Sequence, residues 1–194
     1  AECAADLDRA GSNQTTGKEQ RSSDGMFPPG TECRISVTGK NLAVSNLSLS
    51  LSGSDTAALL KGTIIRMWFD GHSTVEVPAG NFFGTGYTYN SCHTRFTAAE
   101  TDGTLSSSWL MPFRDSCRIS ILNSTDDTIA VKTLVTLAPY RWNENSMHFG
   151  ASWKEYPGFE TAGSENTGGT GLHTDVNIAG LRGKGLYAGD AVLV

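Results

Sequence analysis

A chain of 194 residues has room for one large domain or two small ones, and its net charge of −5 with no basic cluster gives nucleic acid no electrostatic footprint. Charged residues make up only 18% of the sequence, while the 22 glycines accompany abundant Ser and Thr, a balance that favours strands and turns over helical bundles. No apolar run approaches the length of a membrane-spanning helix.

In chain order, residues 1–25 are polar, contain Gly11, Gly17 and Gly25, and read as an arm ordered only when something holds it. Strand-like runs follow in quick succession: "CRISVTG", then "LAVSNLSLSLS", in which Leu47, Leu49 and Leu51 alternate with Ser48, Ser50 and Ser52. "GTIIRMWF" stops at Asp70-Gly71, a strong hairpin signal, and "STVEVP" stops at Pro78. "SSWLMPF", "CRISIL" and "TIAVKTLVTLAPY" come next, the last two separated by the turn chemistry of "NSTDDT". No segment sustains a period of 3.6. The predicted class is therefore all-β, a jelly-roll sandwich over residues 26–140. Beyond that point aromatics mix with polar residues and then with glycines, so 141–194 reads as the start of a second, incomplete jelly roll. The closing stretch "GLRGKGLYAGDAVLV" (Gly180–Val194) reads as a strand apolar on both faces, which normally lies inside a structure.

Ala1 in first position fits a mature N-terminus left by processing, and three acceptor sequons, at Asn13, Asn46 and Asn123, fit a secreted glycoprotein. Asn46 shares parity with the serines of its strand, so a glycan there would project into water. The four cysteines, Cys3, Cys33, Cys92 and Cys117, match neither zinc nor redox spacing, and an even count in a secreted chain permits two disulfides in three connectivities. Cys33 and Cys117 sit in matching contexts, "ECRISV" and "SCRISIL", on the inward parity of their strands. The competing reading for that pair is two buried free thiols.

Chemistry-bearing patterns are sparse. The loop "GSENTGGTG" lacks the Lys-Ser/Thr of a phosphate cradle, and no Ser elbow of the GxSxG type exists. His72, His93, His148 and His173 are scattered without metal-ligand spacing. Glycoside hydrolysis needs two carboxylates about 5–10 Å apart, yet none stands in a catalytic context. Asp70 belongs to a turn, Glu76 to the solvent face of a strand, Asp126 and Asp127 to a turn, and Glu155, Glu160 and Glu165 to a loop. Trp68, Phe69, Phe82, Phe83, Trp109, Phe113, Trp142, Trp153 and Tyr156 include material for a sugar-stacking platform, though strand aromatics mostly pack cores. The sequence names no catalytic residue, no cofactor and no metal set.

Several segments occur together and in order: "LLKGTIIRMWFDGHSTVEVPAGNFFGTG", "SSWLMPFRDSCRISILN", "MHFGASWKEY" and "IAGLRGKGLYAG". Over roughly residues 26–194 they closely resemble the domain of unknown function family 2961, which includes the difructose-dianhydride and arabinofuranoside-cleaving enzymes of glycoside hydrolase family 172. The resemblance implies a double jelly roll, assembled as trimers or higher oligomers with active sites near subunit contacts. The family's two catalytic glutamates lie in Gly-Glu-Gly and Thr-Glu-Asp-Tyr types of motif, downstream of the strand matched by "GKGLYAG", and this chain contains neither. Leu186 also stands where family members often carry histidine.

The leading expectation is thus a secreted, non-catalytic structural protein that self-assembles into an oligomer or extracellular fibre through β-edge pairing. One alternative is the N-terminal part of a furanoside-acting glycoside hydrolase whose glutamates lie outside this chain. The other is a carbohydrate-binding module, with sugar as the partner in place of a second copy.

Overall fold

The computed structural model describes residues 19–157 and 180–192. Twelve strands run in chain order through these residues: β1 (Gln20–Phe27), β2 (Glu32–Thr38), β3 (Leu42–Ser52), β4 (Thr63–Phe69), β5 (His72–Pro78), β6 (Cys92–His93), β7 (Thr97–Ala99), β8 (Thr104–Ser107), β9 (Met111–Phe113), β10 (Ser116–Asn123), β11 (Ile129–Pro139) and β12 (Ala151–Ser152). Two short helices interrupt them, α1 (Thr56–Gly62) and α2 (Ala79–Phe83). One sheet has seven strands in the order β1-β11-β3-β8-β7-β6 with β9 also on β3, and the other has five in the order β12-β5-β4-β10-β2. Their inner faces enclose the core, so the protein is an all-β sandwich.

Alternation in the sequence decides which side of each strand faces in. On β3, Leu47, Leu49 and Leu51 are buried, while Ser50 and Ser52 are exposed. A bulge opposite Thr136 and Leu137 leaves Ser45 outside the ladder, where its Oγ donates to the Thr136 carbonyl at 3.2 Å. The extra residue resets the alternation, so Ala43 and Val44 are both buried. On β2 and β10, Cys33, Ile35 and Val37 face Ile121, Ile119 and Cys117 respectively across an antiparallel ladder. All six are buried.

The Asp-Gly signal after β4 is realised as a two-residue hairpin. Asp70 has φ 51° and Gly71 φ 82°, the paired left-handed conformations that match strand twist. The turn before β11 is closed by a side chain. Asn123 donates its amide to the carbonyls of Phe27 (2.8 Å) and Asp127 (2.7 Å), and accepts from the Thr125 N–H (2.9 Å) and hydroxyl (2.7 Å). Helix α1 starts at an Asp55 cap, whose carboxylate accepts from the Ala57 and Ala58 N–H groups. It packs Leu59 and Leu60 inward as the chain crosses from one sheet to the other. α2 follows β5 and closes on Gly84 at φ 77°, and the Gly86 N–H then returns to the Gly80 carbonyl at 3.0 Å.

Three features differ from the sequence-based expectation. Residues 20–25, read as part of a polar arm ordered only when something holds it, belong to β1, which pairs with β11 along its whole length. Their polarity hid a strand that is held by its main chain. Residues 141–152, assigned to a second unit, return to the sandwich. His148 stacks on Phe69, Phe149 packs against the core, and β12 runs parallel to β5 with Ala151 beside Val75. Residues 180–192 form no strand, and Leu181, Leu186, Tyr187 and Val192 are 72%, 54%, 58% and 63% exposed. The Gly-rich loop at 163–171 lies outside the described residues.

Candidate functional site

Four turns meet at one end of the sandwich, and the Asp70 carboxylate fastens them. Its Oδ1 accepts from the N–H groups of Asp115 (2.7 Å) and Ser116 (2.9 Å); its Oδ2 accepts from the Arg114 N–H (2.7 Å) and meets His148 Nε2 at 2.8 Å. The Asp70 N–H in turn donates to the Ser116 carbonyl at 2.9 Å. From the β9–β10 turn the linkage continues: Gly39 N–H donates to the Asp115 carbonyl at 3.0 Å, and Tyr140 N–H to the Asn41 carbonyl at 2.8 Å. Asn41 holds φ 60°, a left-handed position that asparagine tolerates.

Burial pushes the Asp70 carboxyl upward, but the N–H groups of Arg114, Ser116 and Asp115 and the His148 ring outweigh it, and the net result is a pKa lowered to about 2. Each carboxylate oxygen already has two partners, which exhausts its acceptor capacity. Asp70 is therefore a fixed anion and a clasp, with no lone pair left to take a substrate proton. Beneath it the Cys117 thiol is pushed up to about 12, first by burial and then by the Asp70 charge, which makes it inert.

Beside the clasp lies a cleft of about 320 Å³ lined by Lys40, Asn41, Arg114, Asp115 and Trp142. Trp142 is braced from behind by His148, with ring centroids 5.0 Å apart, and His148 is itself flanked by Phe69 at 6.1 Å and His72 at 6.0 Å. Lys40, Arg114 and Asp115 are exposed, and Trp142 is half-buried.

The other residues singled out in the sequence are dispersed. Glu76 is exposed and pairs with Arg66 at 2.8 Å, and Glu155 pairs with Lys61 at 2.6 Å. Asp127 takes the Ser54 hydroxyl at 2.6 Å, and His93 meets Glu100 at 3.2 Å. Glu160, Glu165 and His173 lie outside the described residues. Among the described residues no three His, Cys, Asp or Glu side chains are grouped to hold a metal ion. Phe69, Phe83 and Phe113 are core, Trp109 stacks on Phe96 at 3.9 Å, and Trp68 carries the Arg118 guanidinium at 3.9 Å on the outer face of the five-stranded sheet. Trp153 and Tyr156 are exposed. Of the nine aromatics considered, Trp142 is the one that lines the cleft.

The modification sites need two corrections. Asn123 is fully buried and spends its amide closing a turn, so the folded protein has no room for a glycan there. Asn46 is half-buried on β3, and Asn13 lies outside the described residues. Cys33, Cys92 and Cys117 are free thiols. Cys33 and Cys117 are buried on adjacent strands, but the antiparallel register sets Cys33 opposite Ile121, four residues from Cys117. At about 3.3 Å per residue that separates them by about 13 Å, beyond the reach of a disulfide. Cys3 lies outside the described residues.

Sequence reasoning missed Lys40, Asn41, Arg114 and Asp115. Their only signals were a Gly-Lys-Asn turn and the "RD" inside "MPFRDSCRI", a motif that had no role attached to it.

The architecture and the clasp define a β-sandwich protein in which the Asp70 hydrogen bonds organise one end of the fold. The family model described as GH172 domain-like matches residues 17–135, and the chain belongs to that family. The match takes in Asp70, Arg114, Asp115, Lys40 and Asn41, while Trp142 and His148 lie beyond it. No curated protein matches the chain. Among solved structures the chain is similar to the crystal structure of a periplasmic lysozyme inhibitor of g-type lysozyme from Aeromonas hydrophila, at 11% identity over 66% of this chain and 93% of that one, with a TM-score of 0.33.

Proposed function

We propose that this protein is a secreted, non-catalytic member of its family that self-assembles, its segment 180–192 adding to a sheet edge of a neighbouring copy. The observation that carries this reading is the segment itself. Leu181, Leu186, Tyr187 and Val192 are each more than half exposed, and no strand of the described residues takes up its main chain. Burying an aliphatic side chain fully is worth about 1.5–3 kcal/mol, and strand addition supplies main-chain hydrogen bonds as well. The outer strand β2 offers a free edge on the five-stranded sheet. Asn46 on the outward side of β3 supports the secreted part of the reading. The non-catalytic part of the reading rests on the saturated state of Asp70 and, among the described residues, on the dispersal of the other carboxylates.

Light scattering of the purified chain at micromolar concentration tests the assembly. The chain should elute as an oligomer or filament, and deletion of 180–194 should return it to a folded monomer. A monomeric full chain, or a deletion variant that stays assembled, would sink the proposal. Family membership favours one second reading, in which the chain is the N-terminal part of a hydrolase acting on furanosides with its glutamates outside this sequence. Furanoside turnover by the chain alone, lost on mutating a glutamate within it, would displace both readings.

A further inference from the structure

We propose that the cleft between Arg114 and Trp142 binds an acidic sugar, a uronate residue of a polysaccharide. This site is separate from the segment that carries assembly. Its lining has the three elements such a ligand requires. Lys40 and Arg114 supply cationic donors, and among the described residues neither is engaged in an ion pair. A guanidinium takes a carboxylate through two parallel hydrogen bonds, which fixes the orientation of the ligand as well as its charge. Trp142 supplies an apolar plane for the C–H face of a sugar ring. Asp115 and Asn41 supply an acceptor and a mixed donor–acceptor for hydroxyls. A lining with two cations and one carboxylate favours a ligand that is negative yet rich in hydroxyl groups. A bare anion would waste the indole, and a neutral sugar would leave both cations unmatched.

The cleft is also built in advance of any ligand. Asp70 fixes the main chain of Arg114 and Asp115, the Tyr140 N–H holds the Asn41 carbonyl, and the Asp70–His148 contact braces Trp142 from behind. Ordering costs are therefore paid in folding, which favours binding. Its volume of about 320 Å³ lies at the small end of the ligand-pocket range of about 300–1,000 Å³, enough for one or two sugar residues.

Calorimetric titration of the full chain with trigalacturonate, and with the neutral galactose trisaccharide of the same linkage, tests this. The acidic trisaccharide should bind at least about tenfold more tightly than the neutral one, as expected when a charge-assisted pair is matched rather than left open. Arg114→Gln and Trp142→Ala should each weaken binding about tenfold or more, whereas Lys132→Gln, an exposed cation on β11, should leave it unchanged. Unchanged thermal melting of the two cleft variants would separate lost contacts from lost fold. Equal affinity for the neutral sugar, no binding of trigalacturonate at millimolar concentration, or wild-type affinity in both cleft variants would overturn the proposal. Displacement of trigalacturonate by inorganic phosphate at equal ionic strength, with Trp142→Ala without effect, would overturn the sugar assignment as well.

Discussion

A Gly80→Ala chain should be recovered unfolded or aggregated, because a Cβ at that position would stand 1.9 Å from the Gly86 carbonyl oxygen and 3.0 Å from its carbon. The obstructing atoms are backbone, and they are held: the Gly86 N–H donates to the Gly80 carbonyl at 3.0 Å, and Gly86 itself sits at φ 73°. Leu60 Cβ of α1 lies 3.3 Å from the same added Cβ, and Leu60 is fully buried. Relief in either direction moves α2, and with it Ala79 and Phe83 in the core. A cost of at least about 4 kcal/mol is expected, a large part of the stability of a domain this size. Gly30→Ala is the matched control. Gly30 has φ 75° with nothing within 4 Å, so alanine there should cost only the left-handed strain of about 1–2 kcal/mol. Urea denaturation followed by fluorescence compares the two. A Gly80→Ala midpoint equal to that of Gly30→Ala would refute the steric account.

The second large effect belongs to Asp70. Its carboxyl is lowered from 3.8 to about 2 in the folded protein, so the ionised form is the one that folding favours. The stabilisation is complete above pH 3.8 and disappears as pH falls from there through about 2. A shift of that size corresponds to about 2 kcal/mol. Asp70→Asn keeps the side-chain shape and tolerates the left-handed φ, but turns two of its protons toward N–H groups that need an acceptor. The variant should lose about 2–3 kcal/mol at neutral pH, and its stability should be flatter than the wild type's between pH 4 and 2. Parallel acid limbs in the two proteins would show that Asp70 is not the group responsible.

Much of the sandwich was legible because side-chain parity is a local property. Leu47, Leu49 and Leu51 announced the inner face of β3, and Asp70-Gly71 announced the hairpin, before any partner strand was known. Strand register is not local. The repeated "CRIS" context placed Cys33 and Cys117 on inward faces correctly, but antiparallel pairing puts identical contexts at opposite ends of the ladder. Asn123 read as a sequon because three letters define one, while its work in closing a turn depends on Phe27 and Asp127. The cleft was hidden for the same reason. Lys40, Arg114 and Trp142 come from three separate turns, each unremarkable alone, and they are assembled by the Asp70 clasp together with the Gly39–Asp115 and Tyr140–Asn41 main-chain bonds.

β1 offers a different kind of consequence. It brings only Phe27 part-way toward the core and presents exposed or half-exposed residues otherwise, so its attachment to β11 rests on the ladder. In an antiparallel sheet successive N–H groups of a strand point to opposite neighbours. The Leu137 N–H of β11 points to the β1 side, where it donates to the Glu19 carbonyl at 2.8 Å, while alternate residues point to the deeply packed β3. Amide hydrogen exchange along β11 should therefore run on two clocks. Every second amide should exchange through peeling of β1, a small opening, and the amides between them only when the sandwich itself comes apart. A single strand would then report both the weakest and the strongest cooperative unit of the protein.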